Sequence, residues 1–258
     1  MAAVVQASAV RGLTAPTGTL GGFVAAGVRS PLLMLVVAMY LGGFVLHAVA
    51  IWFLPLYLAQ ASISLSLPVT VLVSRRLSEW LTPAHWLGVG AIVVGLALVA
   101  AGAGAAGSAR SDAAFAATAV GGVVMLVGLA RSGLVSRAVT LGLLSGVGYA
   151  GSALAVRGVV LPLDPAVVVT AFTVPAFGLV AFWLYSLGLE RGQVRVSTAP
   201  LVTAQTGVPA LVGVVLLGDQ VRPGWGAAVV VGLVLSVAGT ILLSGEQQTA
   251  GERPVPSA

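Results

Sequence analysis

Long apolar runs alternate with short polar breaks along this chain, and the runs set its plan. Stretches of about 20 apolar residues, enough for an α-helix to cross a hydrocarbon core of about 30 Å, recur at 32–54, 56–74, 84–103, 113–130, 138–160, 166–188, 196–217 and 225–244. Ahead of them Met1 to Val10 is apolar, yet as a helix it covers about 15 Å, half of a span. The pattern therefore predicts an all-α, polytopic transmembrane helix bundle of about nine spans, the first of them truncated. Arg11 to Ser30 is a Gly/Thr/Pro-containing connection whose middle, Leu20 to Val28, is expected to dip into the interface. The tail 245–258, with Glu246, Glu252, Pro254 and Pro256, reads as disordered.

Polar positions inside the runs fall at helical spacing. The run Ser197 to Arg222 carries Thr198, Thr203, Gln205 and Thr206 with Pro200 and Pro209, and stops at Gly218-Asp219. A membrane helix holding such groups must satisfy them against neighbouring helices or a wet cavity, which makes this run the first candidate for a wall of a transport path. Tyr40, Gly43 and His47 share a face of the 32–54 helix, as do Gln60, Ser64 and Ser74 on the next. Ser145, Tyr149 and Ser152 do so on 138–160, and Thr198, Gln205 and Pro209 on 196–217. Pro68, Pro175, Pro200 and Pro209 are the expected kink positions; Pro68 frees the Ser64 carbonyl, Pro175 that of Ala171 and Pro209 that of Gln205.

Composition narrows the class. Hydrophobic residues make up 59% of the 258 and charged ones 7%, against about 25% charged in soluble domains, so no soluble globular surface can be built. All twelve basic residues are Arg. Apart from Arg75-Arg76 they are scattered singly between apolar runs, so the net charge of +5 is not a nucleic-acid footprint. Without cysteine, disulfides, thiolate metal sites and Cys nucleophiles are excluded. The alternating spans put Arg11, Arg29, Arg75, Arg76, Arg131, Arg137, Arg191, Arg195 and Arg253 on one side, and Arg110, Arg157 and Arg222 on the other. By the positive-inside rule the richer side is cytoplasmic, with the C-terminus inside. Trp52, Trp80, Trp86, Trp183 and Trp225 fall near span ends and read as interface anchors.

The chain also repeats itself. Ala9-Val10-Arg11-Gly12 recurs as Ala155-Val156-Arg157-Gly158, and Val49-Ala50-Ile51-Trp52 as Val180-Ala181-Phe182-Trp183. Pro68 ahead of Glu79 matches Pro209 ahead of Asp219, Leu81-Thr82-Pro83 with Trp86 matches Val221-Arg222-Pro223 with Trp225, and Gly88/Gly95 share the seven-residue spacing of Gly232/Gly239. Residues 1–103 thus form a first repeat and 138–244 a second, with 113–130 an unpaired helix between them. Five crossings separate the two starts, so the copies are inverted, an arrangement found in secondary transporters.

The segment Pro200 to Gly239, with Leu217-Gly218-Asp219, then Val221-Arg222-Pro223-Gly224-Trp225 and a Gly-spaced last helix, resembles the closing part of the drug/metabolite transporter superfamily. The first copy, with Glu79, Leu81-Thr82, Trp86-Leu87-Gly88 and Gly95, is similar to EamA-like members; the second departs, with Asp219 and Val221-Arg222. Four spans, one extra, then four also resembles the NIPA-type magnesium transporters. The resemblance implies ten spans, or nine in the NIPA-like branch, around a central cavity, and alternating access for a small metabolite or drug-like solute across the inner membrane. The half-length first helix implies a start further upstream. Two other readings stay open: a NIPA-like divalent cation transporter, and a non-transporting scaffold or truncated inactive paralogue.

His47 is the one ionisable residue well inside a predicted span and the candidate carrier of a coupling proton. Hydroxyls at Ser and Thr, and Gly142, Gly146 and Gly151, equally serve helix–helix packing. Glu79 and Asp219 sit at span ends and are expected to act there. Gly102-Ala-Gly104-Ala-Ala-Gly107 matches GxGxxG but lacks the strand, helix and downstream acid that give it meaning, and reads as a flexible loop. No carboxylate pair lies in a span, which disfavours a hard-cation site. No metal, cofactor or enzymatic centre is expected. The expected partners are the bilayer, a small-molecule substrate and H+ as candidate coupling ion, with a homodimer left open.

Overall fold

The apolar runs become helices because the bilayer offers the backbone no other partner. The computed structural model of the chain describes residues 31–65, 68, 83–109, 111–132, 135–191 and 194–251. Its α-helices are α1 (Pro31–Phe53), α2 (Leu56–Ser62), α3 (Pro83–Ala101), α4 (Ala113–Arg131), α5 (Ala138–Gly158), α6 (Pro165–Arg191), α7 (Val194–Val215) and α8 (Gly226–Gly251). From α3 onward, six segments are long and apolar enough to cross a membrane. The chain is a helical, multi-pass membrane protein. The expected half-helix over 1–10, the connection 11–30, Ser74, Trp80 and Glu79, and the last seven residues of the tail lie outside the described residues.

Helix ends fall within three residues of the expected spans, with two departures. α8 runs on to Gly251, where a disordered tail is expected from Gly245. Glu246, Gln247, Gln248 and Ala250 are good helix formers and prolong a helix already nucleated in the membrane. The expected span 56–74 opens with two turns of α-helix and then tightens into a 3-10 turn, Ile63–Leu65. That turn contains Ser64, whose carbonyl has no partner at Pro68. α6 and α7 continue through Pro175 and through Pro200 and Pro209.

The bundle is inside out by the standards of a soluble protein. Leu46, Phe53, Phe172 and Leu216 are each more than 70% exposed, while Ser145, Ser197, Thr170 and Ser236 are fully buried. In lipid, large side chains gain nothing by turning inward, and small residues that let backbones approach hold the helices together. Trp183 is a correction to its expected place at the interface: it is buried in the cluster of Leu126, Leu141, Phe177 and Leu187 between α4, α5 and α6. α6 extends to Arg191, so Trp183 lies two turns inside its end. Trp52 and Trp86 are half-exposed near helix ends.

α5 packs against α6 and α7, α4 against α6, α3 against α8, and α2 between α7 and the α3–α8 pair. Gly142 meets the Ser197 carbonyl and Gly146 the Leu201 carbonyl, so α5 and α7 run parallel at backbone contact. Across α3 and α8 the order reverses. A Cβ built on Gly95 would lie 2.6 Å from the Gly232 oxygen, and one on Gly239 2.7 Å from the Gly88 oxygen. The crossing is therefore antiparallel.

Candidate functional site

One polar cluster stands out at the end of the apolar bundle, and the expected pathway residues lie apart from it in separate contacts. The end cluster grows from a break. α1 stops at Phe53 and α2 starts at Leu56, with Pro55 as the N-cap of α2 and no side-chain cap there. The open ends are closed from far along the chain. Arg157 Nη2, in the last turn of α5, donates to the Leu54 carbonyl at 2.9 Å and to Asp219 Oδ1 at 3.0 Å. Asp219 Oδ2 accepts the Leu56 N–H at 2.6 Å, and Oδ1 also accepts the Gly107 N–H at 2.7 Å. A cation thus meets the negative end of α1 and an anion the positive end of α2, the signs the helix dipoles favour.

Asp219 is delivered by the end of α7. Gly218 adopts φ +75, and the Asp219 N–H reaches back to the Gly213 carbonyl at 2.8 Å, a glycine-closed helix terminus. Side chains of Arg157 and Asp219 are 4% and 0% exposed. Around them the Tyr57 hydroxyl donates to the Gln220 carbonyl at 2.7 Å and accepts the Gly104 N–H at 3.3 Å, and Trp52 Nε1 donates to the Val156 carbonyl at 3.2 Å.

The GxGxxG stretch is part of this cluster, which corrects its reading as a flexible loop. Gly104 N–H bonds the Gln220 carbonyl, Gln220 N–H that of Ala105, and Arg222 N–H that of Gly102, at 3.0 to 3.1 Å, with Ala103 bridged to Val221. A Cβ on Gly104 would lie 2.7 Å from the Gln220 oxygen. The glycines serve a backbone docked against another backbone, not a phosphate.

Sequence reasoning placed Arg157 and Asp219 at the same end of the bundle but did not pair them. Arg157 was legible as the single charge closing an apolar helix on the arginine-poor side, and Asp219 as the acid at an abrupt helix stop.

The expected pathway residues are spread over α1, α2, α5, α6 and α7. His47, half-buried on α1, lies 3.2 Å from Gln60 Nε2 on α2, and Gln60 is 3% exposed. Ser64 is buried one turn further on. Tyr40 lies on α1, with only its backbone described. Thr198 on α7 and the Tyr185 hydroxyl on α6 are 2.6 Å apart, and Tyr149 packs against Tyr185, Leu189, Leu201 and Val202. Gln205 is half-buried on α7. Of the prolines, Pro68 and Pro209 are buried, Pro200 half-buried and Pro175 exposed.

α2 and α7 run antiparallel, since a Cβ on Gly213 near the end of α7 would lie 3.1 Å from Leu56 Cβ at the start of α2. At 1.5 Å per residue, Gln60 lies about 6 Å below that contact and Gln205 about 12 Å. Ser64, rather than Gln60, is level with Gln205. Gln60 instead meets His47 across the α1–α2 turn.

Ser145 and Ser152 hold helices together. Ser145 Oγ donates to the Ala181 carbonyl at 2.7 Å and Ser152 Oγ to the Val174 carbonyl at 3.1 Å, both across α5 and α6. Ser145→Ala is expected to lower unfolding stability in mixed micelles by about 1 kcal/mol and to leave solute binding unchanged; weakened binding with unchanged stability would place Ser145 on a path instead.

Near the Arg157 end, Ser111, Asp112, Asp164 and Pro165 line a shallow cleft of about 680 Å³. Its two carboxylates are committed to capping α4 and α6, accepting the Phe115 N–H at 2.7 Å and the Val167 N–H at 2.9 Å. Among the described residues no three His, Asp or Glu side chains gather as metal ligands. No protein-family model, curated protein or solved structure matches the chain.

Proposed function

We propose that this membrane protein is a secondary transporter of the drug/metabolite type, moving a small neutral or amphiphilic solute by alternating access. The observation that carries the reading is the α3–α8 crossing. These helices hold corresponding places in the two repeats read from the sequence, and their Gly88/Gly95 and Gly232/Gly239 pairs contact one another in antiparallel register. Exchanging the two glycine pairs reproduces the same set of contacts. Such reciprocity is what a pseudo-two-fold axis in the membrane plane imposes, and inverted repeats about that axis let one site face either side in turn. In this reading nine segments cross the inner membrane, the C-terminus is cytoplasmic, and the solute path lies between α2 and α7, lined by His47, Gln60, Ser64 and Gln205.

The donors and acceptors on this path are neutral amides, hydroxyls and one imidazole, which suits an uncharged polar or amphiphilic solute better than a hard cation needing several oxygen ligands. The test is counterflow in proteoliposomes with amino acids, nucleosides, amines and divalent ions offered separately. One organic class is expected to move and to stabilise the purified protein thermally. Movement of divalent ions alone, or of nothing by protein that remains folded in the vesicles, overturns the reading.

His47 carries a second expectation. If it holds the coupling proton, His47→Ala abolishes uphill uptake driven by a proton gradient while downhill counterflow persists. Gradient-driven uptake by the variant at the parent rate removes His47 from that role.

A further inference from the structure

We propose that the Arg157–Asp219 pair is a latch that closes the Arg157 end of the bundle and must break when that end opens. The inference rests on the transport reading above and adds to it the contact that controls one face of the path. Its argument begins with the break at Pro55. Between Phe53 and Leu56 the chain is not helical, so α1 and α2 meet at a joint free to bend. Both sides of that joint are held by one ion pair, the Leu54 carbonyl by Arg157 and the Leu56 N–H by Asp219. Neither charge belongs to the half of the chain that contains the joint. Arg157 lies in the last turn of α5 and Asp219 follows α7, whereas the joint and the docked backbone at Gly104 and Gly107 precede the unpaired helix α4. The pair therefore fastens the two halves to each other at one end only.

The pair has the character of a catch more than of cement. Arg157 uses one nitrogen, Nη2, for both of its bonds, and Nε is buried with no partner among the described residues. A guanidinium can grip a carboxylate through two parallel bonds; this one does not. Removing two charges from solvent cancels most of their attraction, so a buried pair held by a single nitrogen specifies geometry while adding little net stability. Water admitted as the joint opens would hydrate both ions and the idle Nε at once. The closed and open states can then lie within reach of a modest bias.

The 258 residues include no cysteine, so single thiols can report opening without a cleared background. Ala59, fully buried one turn into α2 from the latch, and Ser197, fully buried at the start of α7 at the opposite end, are each replaced by Cys. Both are labelled in proteoliposomes with a water-soluble maleimide. Asp219→Asn is expected to speed labelling of Ala59→Cys about tenfold or more, as the open population grows, and to leave Ser197→Cys as slow as in the parent. Where gel filtration shows Asp219→Asn to be misfolded, Arg157→Lys, which keeps the charge but gives up the planar guanidinium, is expected to give the same selective rise. Equal acceleration at both thiols means that the pair only holds the fold together, and no acceleration at Ala59→Cys means that it closes nothing; either result overturns the latch. The readout needs no solute, so selective opening supports the latch even where the transport screen fails, and a protected Ala59→Cys sinks it even where solute moves.

Discussion

Asp219→Ala is expected to destabilise the protein by about 3–5 kcal/mol, the cost of stranding a buried charge by deleting its partner. Arg157 has nowhere to move: its side chain is 4% exposed, and its remaining bond goes to a single carbonyl. The Leu56 and Gly107 N–H groups lose their acceptor in the same step. Arg157→Met/Asp219→Asn is expected to recover much of the loss. Methionine refills the volume without a charge, and asparagine keeps one oxygen for one of the two N–H groups, leaving a penalty of about 1–3 kcal/mol for the other. The check is a denaturation series on parent, Asp219→Ala and the double variant in mixed micelles. A double variant as unstable as Asp219→Ala would show that the charges themselves hold the bundle closed, and would count against a pair of small net value.

The ion pair also marks where reading the sequence stops. Helices were legible because a bilayer demands about 20 apolar residues per crossing, and the bounds of α3 to α7 follow from counting. The end of α8 was not, since past Leu243 helix propensity and not lipid decides where the helix stops. Trp183 was misplaced because a tryptophan near an apolar run's edge looks like an anchor, and only the true length of α6 puts it inside. At the end cluster, counting arginines required only that Arg157 and Asp219 fall on the same side. That they meet, across 62 positions of chain, is a fact of tertiary packing that no local pattern carries. The same holds for the 102–107 stretch, whose glycines looked idle because the backbone they accommodate lies beyond Gly213. Along the path, faces were legible from helical spacing, but depth was not. The antiparallel offset of α2 and α7 sets Gln205 level with Ser64 instead of Gln60.

Substitution at the α3–α8 crossing tests the symmetry itself. Gly95→Ala places a methyl 2.6 Å from both the Gly232 oxygen and Ser236 Oγ, and Gly239→Ala, its counterpart in the second repeat, places one 2.7 Å from the Gly88 oxygen and 2.8 Å from Ile92 Cγ1. Backbone oxygens cannot swing aside as a side-chain tip can, so the helices must separate along their whole contact. Overpacking of this kind costs about 1–3 kcal/mol, and lost backbone contact has no hydrophobic compensation in lipid. Because Gly95 and Gly239 hold corresponding places in the two repeats and each meets a glycine carbonyl of the other helix, the single variants are expected to cost alike, within about 0.5 kcal/mol. The double variant is expected to cost less than their sum, since the first methyl already opens the gap that the second needs. Gly90→Ala, with nothing within 4 Å of a new Cβ, is the control and is expected to be neutral or to stabilise by a few tenths of a kcal/mol, as alanine favours the helix. Strongly unequal single costs, or strict additivity in the double, would mean that the crossing is ordinary packing with no reciprocal relation between the two halves.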